Sequence, residues 1–255
     1  MILDDICAMS QKRASEIDPL ISETAEAESY APKNLLRAVR ECRPEKNAVI
    51  AEIKYKTPSD KTIDSGRSPG ETAGLYEKGC ACAISVLTEP FFFSGSNEIL
   101  IKAKAETKLP VLRKDFIVSE KQIYETYAMK ADSVLLISGV LKERLFGFIS
   151  LCRSLHIEPL VEVRNPDDAE NAIKSGAELV GINNRNLTDM TVNTGNTKEI
   201  FGILRDAGLT VISESGIKTP DDVLNLKKYC DGFLIGTALM KSENPQKTLE
   251  GFVFA

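Results

Sequence analysis

From about residue 48 onward, short apolar runs alternate with amphipathic stretches along the chain. Eight apolar or β-branched runs have the length of buried strands: AVIAEIKY, CAISVLT, LPVLRKDF, ADSVLLI, IEPLVEV, AELVGIN, LTVISES and CDGFLIG. Stretches with helical periodicity separate them, including ETAGLYEKG, SEKQIYETYAMK, LKERLFGFISLCRSL, NPDDAENAIKSG and TPDDVLNLKKY. The pattern therefore predicts a βα unit that recurs about every 26 residues.

Eight such units predict an α/β fold of the (β/α)₈ TIM-barrel type. Continuously apolar strands separated by single helices call for a parallel sheet with right-handed crossovers, and eight units close it into a barrel. An open doubly wound sheet is the alternative. Residues 1–46 predict two helices, near LDDICAMSQKRASEI and APKNLLRAVREC, which form an N-terminal helical extension packed on the barrel. We therefore expect a single domain over residues 1–255.

Composition and charge exclude several classes of protein. The 255 residues carry 32 Lys and Arg against 37 Asp and Glu, and this net charge of −5 argues against nucleic acid as a partner. No apolar run approaches the roughly 18 residues of a membrane span, and the first residues lack the pattern of a signal peptide. We therefore expect no membrane partner, a cytoplasmic location, and a monomer or weak homo-oligomer.

The supply of metal ligands is poor. Six cysteines are scattered without a CxxC pair, and His156 is the only histidine in the sequence. We therefore expect reduced thiols and no metal site. Because most triads and metal centres need histidine, any catalysis has to depend on carboxylates and lysines.

Charged residues lie on the strand faces that point into the predicted barrel. Period-2 alternation places Glu52 and Lys54 on the inner face of strand 1. The same alternation places Lys114 inward on strand 3 and Glu162 inward on strand 5. Crowding and burial move lysine and carboxylate pKa values toward neutrality, where proton transfer is efficient. A buried ion pair or a solvated ring of charges is the alternative, and recurrence on several strands makes it less favourable.

The ends of strands 6, 7 and 8 are suited to holding an anion. Strand 6 leads into Asn183 and Arg185, an amide and a bidentate oxyanion ligand, although Asn183 could serve only as a structural cap. Strand 7 ends at Glu214. Small residues follow strands 7 and 8, where barrels commonly bind phosphate: Ser215, Gly216, Gly236 and Thr237.

The loops after strands 1 and 2 supply further candidates. Three phenylalanines follow strand 2, and Phe92 is our candidate to wall a planar ligand, with core packing as the alternative. The turn-rich stretch TPSDKTIDSGRSPG, which begins at Thr57, is a candidate mobile lid or a solvated turn. The residues together indicate a metal-independent barrel enzyme that acts on a small phosphorylated substrate by lysine and carboxylate proton transfer.

At these positions the sequence resembles the indole-3-glycerol phosphate synthase family of tryptophan biosynthesis. Seven segments occur in family order and cover nearly the whole chain: VIAEIKYKTPS, AISVLTEPFFFSGS, PVLRKDFIVSEKQIY, PLVEV, GINNRNL, VISESGIKTPDDV and FLIGTALM. The resemblance implies a (β/α)₈ barrel with an N-terminal helical segment and no metal or organic cofactor. It also implies ring closure, decarboxylation and dehydration of 1-(2-carboxyphenylamino)-1-deoxyribulose 5-phosphate to indole-3-glycerol phosphate.

The resemblance also implies residue roles. By this resemblance, Lys114 is expected to be the general acid that protonates the ketone oxygen while the aromatic carbon attacks. Glu162 is expected to stabilise the positive charge that develops on the ring and nitrogen. Glu52 and Lys54 are expected to serve dehydration and substrate positioning. Further positions match the polar network or the phosphate end of the substrate: Asn183 and Glu214 for the network, and Arg185, Ser215, Gly216, Gly236 and Thr237 for the phosphate end, with Arg185 open between phosphate and carboxylate.

Three departures from the family pattern occur in the binding loops. Thr57 and Thr237 stand where the family usually has serine, and both keep the hydroxyl group. Asp60 and Lys61 replace the usual Lys-Gly of the lid loop, and the loss of a glycine restricts the backbone angles of a moving segment.

Two other functions remain as alternatives. Another phosphate-binding barrel, such as a ribulose-phosphate isomerase of the same pathway, shares the loops after strands 7 and 8 but not the set Lys54, Lys114 and Glu162. A non-catalytic partner that binds a phosphorylated ligand does not require buried carboxylates.

Overall fold

Eight parallel strands form a closed barrel in a computed structural model that describes residues 2–27, 29–42, 46–57, 63, 66–186 and 190–255. The strands are β1 (Ala48–Ile53), β2 (Ala83–Leu87), β3 (Val111–Lys114), β4 (Ser133–Ile137), β5 (Leu160–Val163), β6 (Leu179–Asn183), β7 (Thr210–Glu214) and β8 (Gly232–Ile235). They pair in chain order, and β8 returns to β1 with Ala48 opposite Gly232. The barrel prediction is confirmed, and the open sheet is excluded.

Helices follow the strands around the outside of the barrel. The helices are α1 (Ile2–Glu16), α2 (Ile21–Ala27), α3 (Leu35–Glu41), α4 (Pro69–Lys78), α5 (Pro90–Phe93), α6 (Asn97–Ala105), α7 (Glu120–Ala128), α8 (Ser138–Leu141), α9 (Leu145–Ser154), α10 (Pro166–Lys174), α11 (Gly195–Asp206), α12 (Pro220–Leu226), α13 (Thr237–Met240) and α14 (Pro245–Val253), with a 3₁₀ turn over Lys142–Arg144. Proline in the first turn and an N-cap side chain, as at Asn165 of α10, fix several starts. Of the described residues, no helix is long and apolar enough to cross a bilayer.

The described part of the segment before β1 contains three helices where the sequence predicted two. The missed helix, α2, is only seven residues long, and its sequence ISETAEA is too polar and short to give a clear periodic pattern. The outer two helices contact different ends of the barrel. Ser10 Oγ of α1 donates a hydrogen bond to the carbonyl of Phe116, which follows β3. Arg40 Nε of α3 donates to Oγ1 of Thr210, the first residue of β7. The extension therefore reaches both rims.

The inside of the barrel changes character from one end to the other. At the amino ends of the strands, Ile50, Leu112 and Ile212 form an apolar cluster that Leu35 and Val39 of α3 cover. A separate apolar cluster lies between the strands and the surrounding helices. Near the carboxyl ends, the cavity is lined by the charged side chains of β1, β3 and β5, while leucines and isoleucines of other strands keep part of its wall apolar. The charged groups therefore lie together at one end of the barrel.

Candidate active site

A cavity of about 570 Å³ opens at the carboxyl ends of the strands. It is large enough for a small substrate. The predicted site residues that line it are Glu52, Lys54, Thr57, Lys114, Glu162, Asn183, Arg185, Ser215, Gly216, Gly236 and Thr237. The barrel therefore brings together residues that are as much as 185 positions apart in the sequence, Glu52 and Thr237 among them.

Two lysines and two glutamates form a continuous chain of ion pairs at the base of the cavity. Lys54 Nζ lies 2.7 Å from Glu52 Oε1, and Lys114 Nζ lies 3.3 Å from Glu52 Oε2. Lys114 Nζ also lies 2.7 Å from Glu214 Oε2. The Lys114 side chain is 14% exposed and reaches the cavity, whereas Glu214 is fully buried beneath it. The ammonium group of Lys114 therefore lies between the carboxylates of Glu52 and Glu214.

The ion pairs set the protonation states of Glu52 and Lys114. Burial by itself raises the pKa of Glu52, but the charges of Lys54 and Lys114 outweigh burial and lower this pKa to about 2. Burial favours the neutral amine of Lys114, yet Glu214, Glu52 and Glu162 together raise its pKa above the ordinary value. At neutral pH the site therefore contains a carboxylate and an ammonium group.

Glu162 is in a different electrostatic state from Glu52. Burial, followed by the negative charge of Glu214, raises the pKa of Glu162 to about 7, although Lys114 and a hydrogen bond from Asn183 act in the opposite direction. Its Oε1 atom has no hydrogen-bond partner among the described residues. A carboxyl group that titrates near neutrality inside a cavity can gain or lose a proton at the working pH.

Two glycines make room for the buried carboxylates. A Cβ atom added to Gly181 would lie 1.9 Å from Glu214 Oε1. One added to Gly236 would lie 2.3 Å from Glu52 Oε1 and 3.0 Å from Lys54 Nζ. Gly236 was predicted as a phosphate contact, and it does line the cavity. The structure adds that the absence of a side chain there also accommodates the Glu52–Lys54 pair.

The loops after β6 and β7 are bonded to each other. Asn183 Oδ1 accepts hydrogen bonds from the Arg185 backbone N–H at 2.9 Å and from Ser215 Oγ at 3.0 Å. Ser215 and Gly216 both have left-handed backbones, with φ of 66° and 91°. A Cβ on Gly216 would come within 2.9 Å of Val192, so only glycine fits this turn closely.

Arg185 lies on the wall of the cavity formed by the loop after β6. Its Nη1 donates to the Met190 carbonyl at 3.1 Å, and its backbone pairs with Val192 in an antiparallel bridge. These contacts anchor the side chain in the wall while it lines the cavity.

The aromatic wall differs from the prediction. Phe92 and Phe93 both pack against the inner apolar cluster, but of the two only Phe93 lines the cavity. Glu89 accepts hydrogen bonds from the N–H groups of the one-turn helix α5, and this cap orients the three phenylalanines in a way that alternation cannot predict. Phe93 also stacks on Phe116, with centroids 6.1 Å apart. The phenylalanine assignment therefore moves by one residue.

Sequence reasoning missed several lining residues. Phe116, Lys218 and Lys241 also face the cavity. Phe116 lies in the RKDF segment, so its position two residues after Lys114 was an available signal, whereas the two lysines lie in loops that carry no strand periodicity. Half of the proposed lid, residues 58–62, 64 and 65, lies outside the described residues, and this half includes Asp60 and Lys61. Within the described part of the chain, no group of three His, Cys, Asp or Glu side chains is arranged to hold a metal ion.

Comparison with known proteins gives a consistent result. The family model described as "Indole-3-glycerol phosphate synthase" matches residues 3–252. The enzyme of that name from Aquifex aeolicus is 46% identical over 205 residues, which are 79% of each chain. The one from Clostridium kluyveri is 36% identical over 260 aligned residues, covering 99% of this chain and 98% of its own. A solved structure, thiamine phosphate pyrophosphorylase from Pyrococcus furiosus, has a TM-score of 0.58 at 18% identity, covering 81% of this chain and 93% of its own, and shares the fold alone.

Proposed function

Because the chain belongs to the indole-3-glycerol phosphate synthase family, we propose how the residues of its cavity carry out that family's reaction. The enzyme is a carboxy-lyase of tryptophan biosynthesis. It converts 1-(2-carboxyphenylamino)-1-deoxyribulose 5-phosphate to indole-3-glycerol phosphate with release of carbon dioxide and water. One carbon–carbon bond forms between the aromatic ring and the ketone carbon, and one breaks when the carboxylate leaves.

Lys114 is the proposed general acid for ring closure. As the aromatic carbon attacks the ketone carbon, negative charge develops on the ketone oxygen, which then needs a proton. The carboxylates of Glu52 and Glu214 keep Lys114 in its ammonium form, and its tip reaches the cavity. A fixed cation whose proton is aimed at the developing alkoxide stabilises the transition state more than the neutral ketone.

Glu162 is the proposed group that stabilises the positive charge formed when the aromatic ring attacks the ketone carbon. Attack by the ring removes its aromaticity and leaves positive charge on the ring and nitrogen until carbon dioxide departs. The carboxylate form of Glu162 stabilises that charge. Its pKa of about 7 also makes Glu162 a better proton acceptor than Glu52, whose pKa is about 2. We therefore place the proton removal of the dehydration step on Glu162.

Glu52 and Lys54 are assigned to positioning and to departure of the hydroxyl group. Glu52 bonds both ammonium groups, so it holds Lys54 and Lys114 at fixed places rather than moving a proton itself. Lys54 is the proposed donor to the leaving hydroxyl group. Asn183 bonds Ser215, and Glu214 bonds Lys114, so these two complete the network beneath the substrate.

The substrate's two anionic ends define the binding assignments. The small residues after β7 and β8, Ser215, Gly216, Gly236 and Thr237, are proposed to hold the phosphate because they line the cavity and allow close backbone approach. Arg185 and Thr57 line other parts of the wall. We assign Arg185 to one of the two anionic groups of the substrate and Phe93 to the aromatic ring.

The single observation that carries this proposal is the ammonium group of Lys114, held between two carboxylates at the floor of a cavity that also contains a near-neutral carboxyl group. The test is to add the carboxyphenylamino substrate to the purified protein and follow indole fluorescence together with carbon dioxide release. Equal amounts of both products support the function. A protein that isomerises a ribulose phosphate but forms no indole would belong to the alternative barrel class.

We further propose that residues 1–255 act as one domain, because α1 and α3 bond to opposite rims of the barrel. The proposed location is the cytoplasm and the proposed state is a monomer or weak homo-oligomer, whose ligand is the phosphorylated substrate. Sedimentation velocity at several protein concentrations measures the oligomeric state directly.

A further inference from the structure

The N-terminal helix α1 contacts the two residues that follow Lys114 at the end of β3. Arg13 Nη2 donates to Asp115 Oδ1 at 2.7 Å, and Arg13 Nη1 donates to Asp115 Oδ2 at 3.0 Å. One turn earlier on the same helix, Ser10 Oγ donates to the Phe116 carbonyl. Asp115 and Phe116 line the cavity beside Lys114. A helix outside the barrel therefore touches the chain next to the proposed acid.

Arg13 provides Asp115 with a donor group that matches the geometry of its carboxylate. Its carboxylate is fully buried, and its other side-chain donors are Thr88 Oγ1 at 2.7 Å and Arg113 Nη2 at 3.4 Å. The Phe116 backbone N–H also donates to it, at 2.8 Å. Among the described residues, only Arg13 bonds both carboxylate oxygens, and two parallel bonds from a planar guanidinium fix an orientation that a single bond does not.

A second bonded group holds the same stretch of backbone. Gln122 of α7 donates to Ser10 Oγ at 3.0 Å and to the Phe116 carbonyl at 3.3 Å, while its Oε1 accepts from the Val118 N–H. The backbone after Lys114 is thus held by α1 on one side and by α7 on the other. This arrangement restricts rotation of the segment that carries the lysine.

We propose that Arg13 is a positioning residue for Lys114: by clamping Asp115 from the N-terminal helix, it fixes the place of the proposed acid between Glu52 and Glu214. This inference rests on the function proposed above. The lysine's own bonds show why the position matters, because its Nζ is only 2.7 Å and 3.3 Å from the two carboxylates. A displacement of about 1 Å would lengthen both contacts and misalign the proton.

The test compares Arg13→Met with Lys121→Met in the full chain. Lys121 Nζ donates to the Ile17 carbonyl just beyond α1, so its removal loosens the same helix without touching Asp115. For Arg13→Met we expect a fall in kcat of about 10-fold to 100-fold with a smaller change in KM. For Lys121→Met we expect kcat close to that of the parent. Both are assayed well below their melting temperatures.

The pH profile separates positioning from a structural role. Lys114 faces Glu52 from β1, Glu162 from β5 and Glu214 from β7, and their charges raise its pKa. If it moves away from them, its pKa falls toward the ordinary value, and the basic limb of the kcat profile shifts to lower pH. Arg13→Lys, which keeps the charge but loses the fork, should recover part of the rate.

Three outcomes decide the matter. A folded Arg13→Met protein with the parent's kcat and basic limb overturns the inference, even if its melting temperature falls. If Arg13→Met does not fold, Arg13→Lys and Ser10→Ala take its place, and parental kcat and pH profiles in both also overturn it. Lys114→Met is measured in parallel, because full activity in that variant would defeat the proposed function itself rather than the role of Arg13.

Discussion

The two ends of the barrel interior differ in polarity, although the same strands form both: the amino end is apolar and the carboxyl end is charged. At the amino end, Ile50, Leu112 and Ile212 pack into an apolar layer under α3. At the carboxyl end, the next inward positions on the same strands are Glu52, Lys114 and Glu214. The amino end gains stability by removing apolar surface from water. The carboxyl end has to balance buried charges against one another.

The difference shows where stability and activity are separable. Removing one partner from a buried ion pair leaves an uncompensated charge, which is more destabilising than the pair is stabilising. The charged layer is therefore retained for its chemistry, and substitutions in the two layers should produce different signatures.

The largest expected effect is on the rate when Lys114 is replaced by methionine. The change removes the ammonium group while keeping a side chain of similar length. We expect kcat to fall by a factor of about 10² to 10⁴, since general acid catalysis contributes roughly that much. Circular dichroism at 25 °C should still show a folded protein, with a lower melting temperature because Glu52 and Glu214 lose a buried partner. An active Lys114→Met enzyme would show that the acid lies elsewhere.

Replacing Glu162 with glutamine should slow the chemical step about 10²-fold while substrate Kd changes little, because the charge that Glu162 opposes develops only after attack. Single-turnover rates and Kd are measured together, since KM can hide slow product release. If Kd weakens strongly while the single-turnover rate stays the same, Glu162 is a binding residue and Glu52 becomes the better candidate for charge stabilisation.

The same variant should alter the pH dependence of activity and stability. With a pKa of about 7, Glu162 becomes the carboxylate as pH rises through 7, so kcat/KM of the parent should fall on the acid side of that value. The pKa of Glu162 is about 4.5 in the unfolded chain and about 7 in the folded protein. The free energy of unfolding therefore decreases as pH rises from about 4.5 to 7, because the buried group has to lose its proton. Glu162→Gln should therefore lose the acid limb and melt a few degrees higher than the parent at pH 8, but not at pH 4.

Gly236→Ala should raise KM and also lower kcat, each by about 10-fold. An added methyl group would meet Glu52 and Lys54 at the distances given above, so the change reaches the ion pairs as well as the proposed phosphate site. Thr237→Ala is the matched control, because it removes a hydroxyl from the neighbouring position and should affect KM alone. An unchanged kcat in Gly236→Ala would mean that Glu52 relaxes without consequence.

The smallest effect is expected at the amino end of the interior. Ile212→Val deletes one buried methylene and should lower the free energy of unfolding by about 1 kcal/mol. Activity at 25 °C should equal that of the parent. Urea titration gives the stability change, and a loss of kcat beyond 2-fold would mean that the two layers are mechanically coupled.

The alternation of inward and outward side chains along the strands was sufficient to predict most of the fold and much of the site. Because inward positions alternate strictly, the sequence alone predicts that Glu52, Lys114 and Glu162 share one cavity. The register of the closed barrel then brings their ends together. Positions governed by alternation were therefore the predictable ones.

Positions set by side-chain contacts between distant segments were not predictable. The choice of Phe93 over Phe92 depends on how Glu89 caps a single helical turn. The bond between Arg13 and Asp115 joins residues about a hundred positions apart, and no local pattern marks it. Protonation states follow the same rule, since the contrast between Glu52 and Glu162 arises from which charges the fold places around each one.

Closure of the barrel by β1 and β8 has a consequence for the order of folding. Glu52 is near the start of the barrel sequence and Gly236 near its end, yet the two are in contact. Pairings between such distant segments form slowly, because a long loop must close before any contact compensates for its entropy. During refolding, the helical circular-dichroism signal should therefore return before enzymatic turnover. Turnover should recover only after β8 has paired with β1.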